Sequence, residues 1–162
     1  MQLETQRLNI RYFRAEDITA YAPIAGDPDV MKFLGGPQTL EQSQTYLDEM
    51  VELAATQGLG RYAVELKQSG ELIGFCGFRP VREFVDFGYR YAKAYWGQGL
   101  ALEAAQAVRR YGLDVLKMQN MEAGAAAENV ASVKILDQLG FKYREELIYD
   151  GEPAVRFRDI QD

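Results

Sequence analysis

The chain predicts a mixed α/β fold, a mostly antiparallel sheet with helices on both faces, and three observations predict it. Strand-like and helix-like segments alternate without repeats, low-complexity tracts or a linker. Three consecutive segments, Tyr62 to Lys67, Glu71 to Phe78 and Phe84 to Tyr91, are rich in aromatic and β-branched residues, as neighbouring strands are. Others carry apolar residues at the spacing of a helix face. With 162 residues, 48% of them hydrophobic, residues 1–162 suit a single domain able to bury roughly 70% of its unfolded surface.

In chain order, Leu8 to Phe13 alternates as a first strand. Ala15 to Ala25 and Leu40 to Thr56 read as helices, the second offering Leu40, Tyr46, Leu47, Met50, Val51 and Ala54 for an apolar face. Gly58-Leu59-Gly60 ends it. Gln68-Ser69-Gly70 is a turn between the next two strands. The strand Phe84 to Tyr91 is followed by an amphipathic helix whose face is Ala101, Ala104, Ala105, Val108, Tyr111, Gly112 and Val115. Met121 to Ala127 has a weak strand propensity because of its alanines. Asp150-Gly151 between Tyr143 to Tyr149 and Ala154 to Phe157 has the form of a closing β-hairpin.

The segment Tyr95-Trp96-Gly97-Gln98-Gly99-Leu100-Ala101-Leu102-Glu103-Ala104 joins strand to helix and is suited to an anion. The first N–H groups of the helix lack intrahelical partners, the positive end of its dipole points outward, and two glycines let a phosphate approach the backbone. Leu102 stands where a dinucleotide-binding G-x-G-x-x-G needs its third glycine, and no Gly-Lys-Ser/Thr follows. A tight strand-to-helix turn without a ligand is the alternative on this segment alone.

A second segment, Glu128-Asn129-Val130-Ala131-Ser132-Val133-Lys134-Ile135-Leu136-Asp137-Gln138-Leu139-Gly140-Phe141, completes a pattern. Together the two resemble the signature of the GNAT acetyltransferases, in particular the RimJ/RimL-like branch that acetylates ribosomal-protein N-termini. Thr5-Gln6-Arg7-Leu8, Arg11, Asp17 and Asp27-Pro28-Asp29-Val30 with Phe33-Leu34 extend the resemblance over nearly the whole chain. It implies a sheet of about 6–7 strands and about four helices, with acetyl-CoA held between two splayed strands. By position, the backbone of Arg90 and Tyr91 would pair with pantetheine, and a Tyr91 N–H would support the oxyanion. Trp96, Gly97, Gln98, Gly99, Leu100 and Ala101 would form the pyrophosphate loop. Asn129 would contact the pantetheine arm, or simply cap its helix, and Ser132 and Lys134 complete the candidate cosubstrate contacts. Trp96 departs from the Arg or Gln common in the superfamily, and Leu102 from a common threonine.

The implied reaction is acetyl transfer to a primary amine, a peptide N-terminus or a small-molecule amine, by direct attack in a ternary complex. With no histidine in the chain, the expected base is a carboxylate working through water, and Asp86 and Glu122 are the choices nearest the expected gap. The tyrosine that many of these enzymes carry seven residues after the asparagine is here Leu136, so Ser132 is nominated to hydrogen-bond the leaving sulfur. The alternative is an acyl-CoA-binding or sensing module that has lost its proton-transfer groups.

Bulk properties bound the partners. A net charge of −6 works against a nucleic-acid face and favours a cationic acceptor such as an amine, so the phosphates must be held by N–H groups and a few cations, with Arg90, Lys93 and Lys134 nearby. No metal is expected. No apolar run approaches the ~20 residues of a membrane helix and no signal peptide opens the chain, so a cytoplasmic monomer or homodimer is expected. The lone Cys76, in an apolar strand setting, reads as a buried thiol.

Overall fold

The computed structural model describes residues 1–149 and 151–160. Strands β1 (Gln2–Glu4) and β2 (Leu8–Arg11) lead into a 3-10 turn at Ala15–Asp17, then helices α1 (Ile18–Ala25) and α2 (Leu40–Gln57). Strands β3 (Gly60–Leu66), β4 (Leu72–Val81) and β5 (Phe84–Tyr91) follow, and a 3-10 turn at Lys93–Tyr95 precedes α3 (Leu100–Asp114). The chain continues as β6 (Met121–Ala126), α4 (Val130–Gln138), β7 (Lys142–Tyr149) and β8 (Glu152–Arg158). The fold class is the one expected. The described strands number eight, one above expectation, because β1 is a three-residue edge strand too short to show a period in sequence.

The strands form one sheet in the order β1-β2-β3-β4-β5-β6-β8-β7. Every neighbouring pair is antiparallel except β5 and β6. That exception follows from connectivity: α3 carries the chain back across the sheet, and a helical crossover delivers the next strand parallel to the last. Gly151 has the left-handed φ (+81°) of a hairpin turn, while its expected companion Asp150 lies outside the described residues.

Alternation along the strands builds one core on each face. Tyr62, Cys76, Phe78 and Phe87 face α3 and α4, where Leu100, Ala104, Val108 and Leu136 complete a buried cluster. Ala63 and Phe75 face α1 and α2, packing with Phe13, Tyr21, Leu47 and Met50. The start of α2 is fixed by a capping box: Gln42 N–H donates to Thr39 Oγ1 (3.1 Å) and Thr39 N–H to Gln42 Oε1 (2.9 Å). Leu40, expected on the apolar face, is 68% exposed at the first position of that helix.

The parallel pair is what positions the site. β5 and β6 are in register only at Val85–Met121 and Asp86–Glu122. Beyond that point β5 stays with β4 as far as Tyr91–Gly74, and β6 stays with β8 as far as Ala126–Ala154. The sheet forks between Phe87–Tyr91 and Ala123–Ala126.

Candidate active site

One end of the site is the glycine loop. After the 3-10 turn, Gly97 (φ +73°) and Gly99 (φ +75°) both take the left-handed conformation, which a side-chain-bearing residue rarely adopts, and Gly99 is the N-cap of α3. A β-carbon on Gly97 would meet nothing within 4 Å, so the loop's outer surface is open. The first helical bond runs from Glu103 N–H to the Gly99 carbonyl (3.1 Å), leaving the amides of Leu100, Ala101 and Leu102 without intrahelical acceptors. Among the described residues, no amide from Gly97 to Leu102 donates to a protein acceptor. Six such amides at the positive end of a 15-residue helix, in a loop where Gln98 and Trp96 are exposed, are a donor set that can hold an anion such as a phosphate.

Arg7 holds this loop from outside. Its Nη1 donates to the Gln98 carbonyl (2.9 Å), while Nε and the backbone N–H both donate to Glu103 (2.7 and 2.9 Å). Thr5 Oγ1 adds a third donor to the same carboxylate (2.6 Å). With the Gln98 carbonyl turned toward Arg7, the peptide N–H that follows it, on Gly99, points the opposite way. Trp96 is anchored from the other side, its indole Nε1 donating to the Tyr91 carbonyl (2.9 Å).

The fork joins this loop. Antiparallel pairing alternates the direction of successive backbone groups. Ala92 N–H donates to Ile73 on the β4 side (2.8 Å) and Val85 N–H to Asn120 on the β6 side (2.9 Å). Residues 86, 88 and 90 therefore direct their backbone groups to β4, and 87, 89 and 91 direct theirs into the gap. Tyr91 N–H faces the gap, whereas the Arg90 backbone belongs to the β4 ladder.

Across the gap Asn129 caps α4, its Oδ1 accepting from Ser132 N–H (3.2 Å). Ser132 Oγ lies 2.9 Å from Tyr89 Oη, and that phenol also donates to the Ser132 carbonyl (3.0 Å). Since Tyr89 has one hydrogen, donation to the carbonyl leaves its oxygen to accept from Ser132. Burial pushes the Tyr89 phenol well above its ordinary value, so it remains an O–H at neutral pH. Leu136, where a tyrosine stands in many relatives, is 1% exposed and part of the α3/α4 core. Lys134 is exposed on α4, and Lys93 pairs with Asp29 at 2.6 Å.

Asp86 and Glu122 stand side by side at the base of the fork, as their register requires, on the face covered by α1 and α2. Both are gripped by arginines. Asp86 pairs with Arg61, which is buried and also donates to the Gly77 (2.7 Å) and Asp86 (2.9 Å) carbonyls. Gly88 makes room for this: a β-carbon there would come within 2.8 Å of the Arg61 guanidinium. Glu122 accepts through Oε1 from Arg158 Nε (3.0 Å), while Oε2 is buried, accepts no hydrogen bond, and has Arg156 Nε at 3.7 Å. The Arg90 side chain lies on the same face.

Sequence reasoning placed the glycine loop, Asn129, Ser132 and the two carboxylates around one fork. It did not find Arg7, Glu103 or Arg61 as parts of the site, or the Tyr89 hydroxyl, because their partners lie between 16 and 98 residues away in sequence. Cys76, an expected buried thiol, is fully buried, and burial pushes its pKa up.

Residues 7–142 match the family model described as an acetyltransferase (GNAT) domain. The chain belongs to the GNAT acetyltransferases. Within this family it resembles the uncharacterized N-acetyltransferase p20 of Bacillus licheniformis, 31% identical over 157 residues that cover 94% of this chain and 88% of that one. Its fold is that of a GNAT acetyltransferase from Bacillus anthracis, with TM-score 0.85, 24% identity, and coverage of 99% and 98% of the two chains. It is also that of the RimL ribosomal-protein α-N-acetyltransferase solved in complex with coenzyme A, with TM-score 0.85, 15% identity, and coverage of 99% and 98%. No helix among the described residues of this GNAT protein is long and apolar enough to cross a membrane.

Proposed function

We propose that this GNAT N-acetyltransferase takes acetyl-CoA as donor and transfers its acetyl group to a primary amine by direct attack in a ternary complex. The observation that carries the donor assignment is the run of unpartnered amides from Gly97 to Leu102 opening α3 beside the β5/β6 fork. The loop suits a pyrophosphate, and the gap-facing backbone of Tyr89 with the Tyr91 N–H offers an extended pantetheine chain a strand edge, the Tyr91 carbonyl being held by the Trp96 indole. The Arg90 backbone, turned to β4, has no part in this.

In the transfer, the amine nitrogen bonds to the thioester carbonyl carbon, the C–S bond breaks, the nitrogen loses a proton and the sulfur gains one. Tyr91 N–H is the gap-facing donor placed for the developing oxyanion. Ser132 is assigned to the leaving sulfur: its hydroxyl hydrogen, donated to Tyr89 Oη at rest, turns to the sulfur as the C–S bond breaks. Of the two carboxylates, Glu122 is taken as the first candidate to accept the amine proton through water, because its buried Oε2 accepts no hydrogen bond, with Arg156 Nε 3.7 Å away; Asp86, which gives Oδ2 to Arg61, is the second.

Thiol release from acetyl-CoA across a panel of amines and amino-terminal peptides tests the reaction, and calorimetry with CoA tests the donor. Gly99→Glu should weaken CoA binding, because a side chain at φ +75° strains the loop that carries the amides and its β-carbon would stand 3.5 Å from Arg7 Nη2, and thermal unfolding of the variant separates a local change from a lost fold. Unaltered affinity in that variant, or no binding of millimolar CoA to the wild type, would refute the donor assignment.

A further inference from the structure

The face of the sheet under α1 and α2 carries a row of arginines, and all but one have carboxylates. Arg61 is matched by Asp86, Arg79 by Glu49, Arg158 by Glu122, and Arg156 by Glu122 and Glu145. Arg90 has no carboxylate partner among the described residues. Its guanidinium lies 5.0 Å from the Phe75 ring centroid and 5.5 Å from that of Tyr46, and Nη1 donates to Tyr21 Oη at 2.6 Å. Nε is buried with no acceptor.

None of these neighbours cancels the charge. Burial pushes the Tyr21 phenol well above its ordinary value, against the opposing pull of Arg90, so it remains a neutral hydroxyl. The rings offer cation–π attraction, a weaker compensation than a carboxylate. A half-buried guanidinium that keeps its charge without a counter-charge is unfavourable in the isolated protein, and this in a chain of net charge −6 with 24 acidic residues to draw on.

The position of the cation connects it to the reaction. Arg90 sits on the free arm of β5, past the last β5–β6 pair, and its side chain projects on the same face as Asp86 and Glu122. Over Gly88, between Asp86 and Arg90 on that face, lies the Arg61 guanidinium, so the approach to Arg90 is from the free end of the β5 arm and not across Gly88. α1 and α2 pack mainly on β3 and β4, so the β5 arm lies at the margin of their cover. The backbone of its neighbours, Tyr89 and Tyr91, faces the gap assigned above to the thioester arm.

We propose that Arg90 is a specificity-determining residue that binds a carboxylate on the acceptor, so that the substrates of this enzyme are primary amines bearing an acid group. This rests on the acetyl-CoA reading given above. Tyr21 orients the guanidinium, the two rings hold it in place, and the acceptor carboxylate supplies the missing counter-charge while its amine is directed toward the fork. The preference applies to the acceptor molecule and coexists with the acidic surface elsewhere.

The test is a panel of amino acids and ω-amino acids of increasing length, each beside its carboxamide, assayed by thiol release from acetyl-CoA. Wild-type protein should prefer the acid member of at least one pair by about tenfold or more in kcat/KM, the scale of a hydrogen bond to a charged group. Arg90→Gln should bring that ratio close to one, and Arg90→Lys should retain part of it. A merely structural role for Arg90 would lower both members together. Should Arg90→Gln not fold, the wild type suffices: carboxylates of the preferred skeleton lacking the amine should inhibit competitively against the acceptor, and their carboxamides should not. Equal use of acid and amide, a preference that survives Arg90→Gln in a folded variant, absence of such inhibition, or acetyl-CoA binding with no panel member acetylated would each overturn the assignment. Calorimetry showing no acetyl-CoA binding would instead overturn the donor reading, and this inference with it.

Discussion

Glu103 on α3 accepts from Arg7 twice, at the backbone N–H (2.9 Å) and at Nε (2.7 Å), across 96 residues of sequence. The same arginine holds the Gln98 carbonyl (2.9 Å), so the segment before β2 is tied to the loop that opens α3. Two sequence segments that look independent, Thr5-Gln6-Arg7-Leu8 and the glycine loop with its Glu103, are thus one structural unit.

Loosening that unit should weaken donor binding through the pyrophosphate. Arg7→Ala is expected to raise the Kd for CoA about fivefold, near 1 kcal/mol, because the Arg7 side chain is 44% exposed and solvent screens its ion pair. Acetyl-pantetheine, which lacks the pyrophosphate, should be used as well by the variant as by the wild type. Equal losses for both donors would show that Arg7 supports the fold as a whole.

The same carboxylate reports on acid stability. Partial burial alone would raise the pKa of Glu103, but the hydrogen bonds from Thr5 and Arg7 outweigh it and hold the carboxyl below the ordinary glutamate value. Asp17 is likewise held low: burial raises it, and bonds from Arg11 and the Arg14 N–H prevail. Both folded-state values lie below the unfolded ones, so the unfolded chain binds more protons in the window between them. Their stabilisation is complete above the ordinary carboxylate range near ~4 and is lost as pH falls through the depressed values. Urea unfolding at stepped pH should show stability falling below that range, with a shallower fall in Glu103→Gln and Asp17→Asn. A slope unchanged in both variants would contradict this.

What the sequence disclosed follows from which interactions are local. β5 was legible to the residue, because five of the eight residues from Phe84 to Tyr91 are aromatic or β-branched, and the loop was legible because Gly97 and Gly99 occupy left-handed positions. β6 was not legible from its own residues: Met-Glu-Ala-Gly-Ala-Ala has low strand propensity, and its place is fixed by pairing with β8. The direction of backbone groups in β5 depends on its register with β4, which the position of Arg90 in the motif does not carry. The pairs Tyr89–Ser132, Arg90–Tyr21 and Arg61–Asp86 leave no periodic trace, since each side chain alone reads as an ordinary strand or helix residue.

The hydroxyl pair at the leaving group should act on turnover more than on affinity. Ser132→Ala removes the group assigned to the sulfur, and Tyr89→Phe removes the phenol that orients it. Both should lower kcat with little change in the Kd for CoA, Ser132→Ala by up to about 100-fold, the lower end of general acid assistance. The double variant should lose little beyond Ser132→Ala, because the phenol acts through the serine. Additive losses would separate the two residues and assign Tyr89 a role of its own.

Asp86 and Glu122 are neighbours in register, yet they differ in what their oxygens do, and that difference decides the last prediction. Asp86 gives Oδ2 to Arg61 on a side chain that is 31% exposed, whereas Glu122 gives Oε1 to Arg158 and holds Oε2 buried, without a hydrogen bond, 3.7 Å from Arg156 Nε. Glu122→Gln should therefore lower kcat/KM by about 10²-fold or more and displace the acid limb of its pH profile, as loss of a general base does. Asp86→Asn should lower thermal stability through the buried Arg61 left without its carboxylate, and leave the position of that limb unchanged. Thermal unfolding of both variants separates lost folding from lost chemistry. A displaced limb in Asp86→Asn alone would transfer the role to Asp86. Near-wild-type turnover in both would mean that the amine arrives already neutral and that the site works by alignment and oxyanion support.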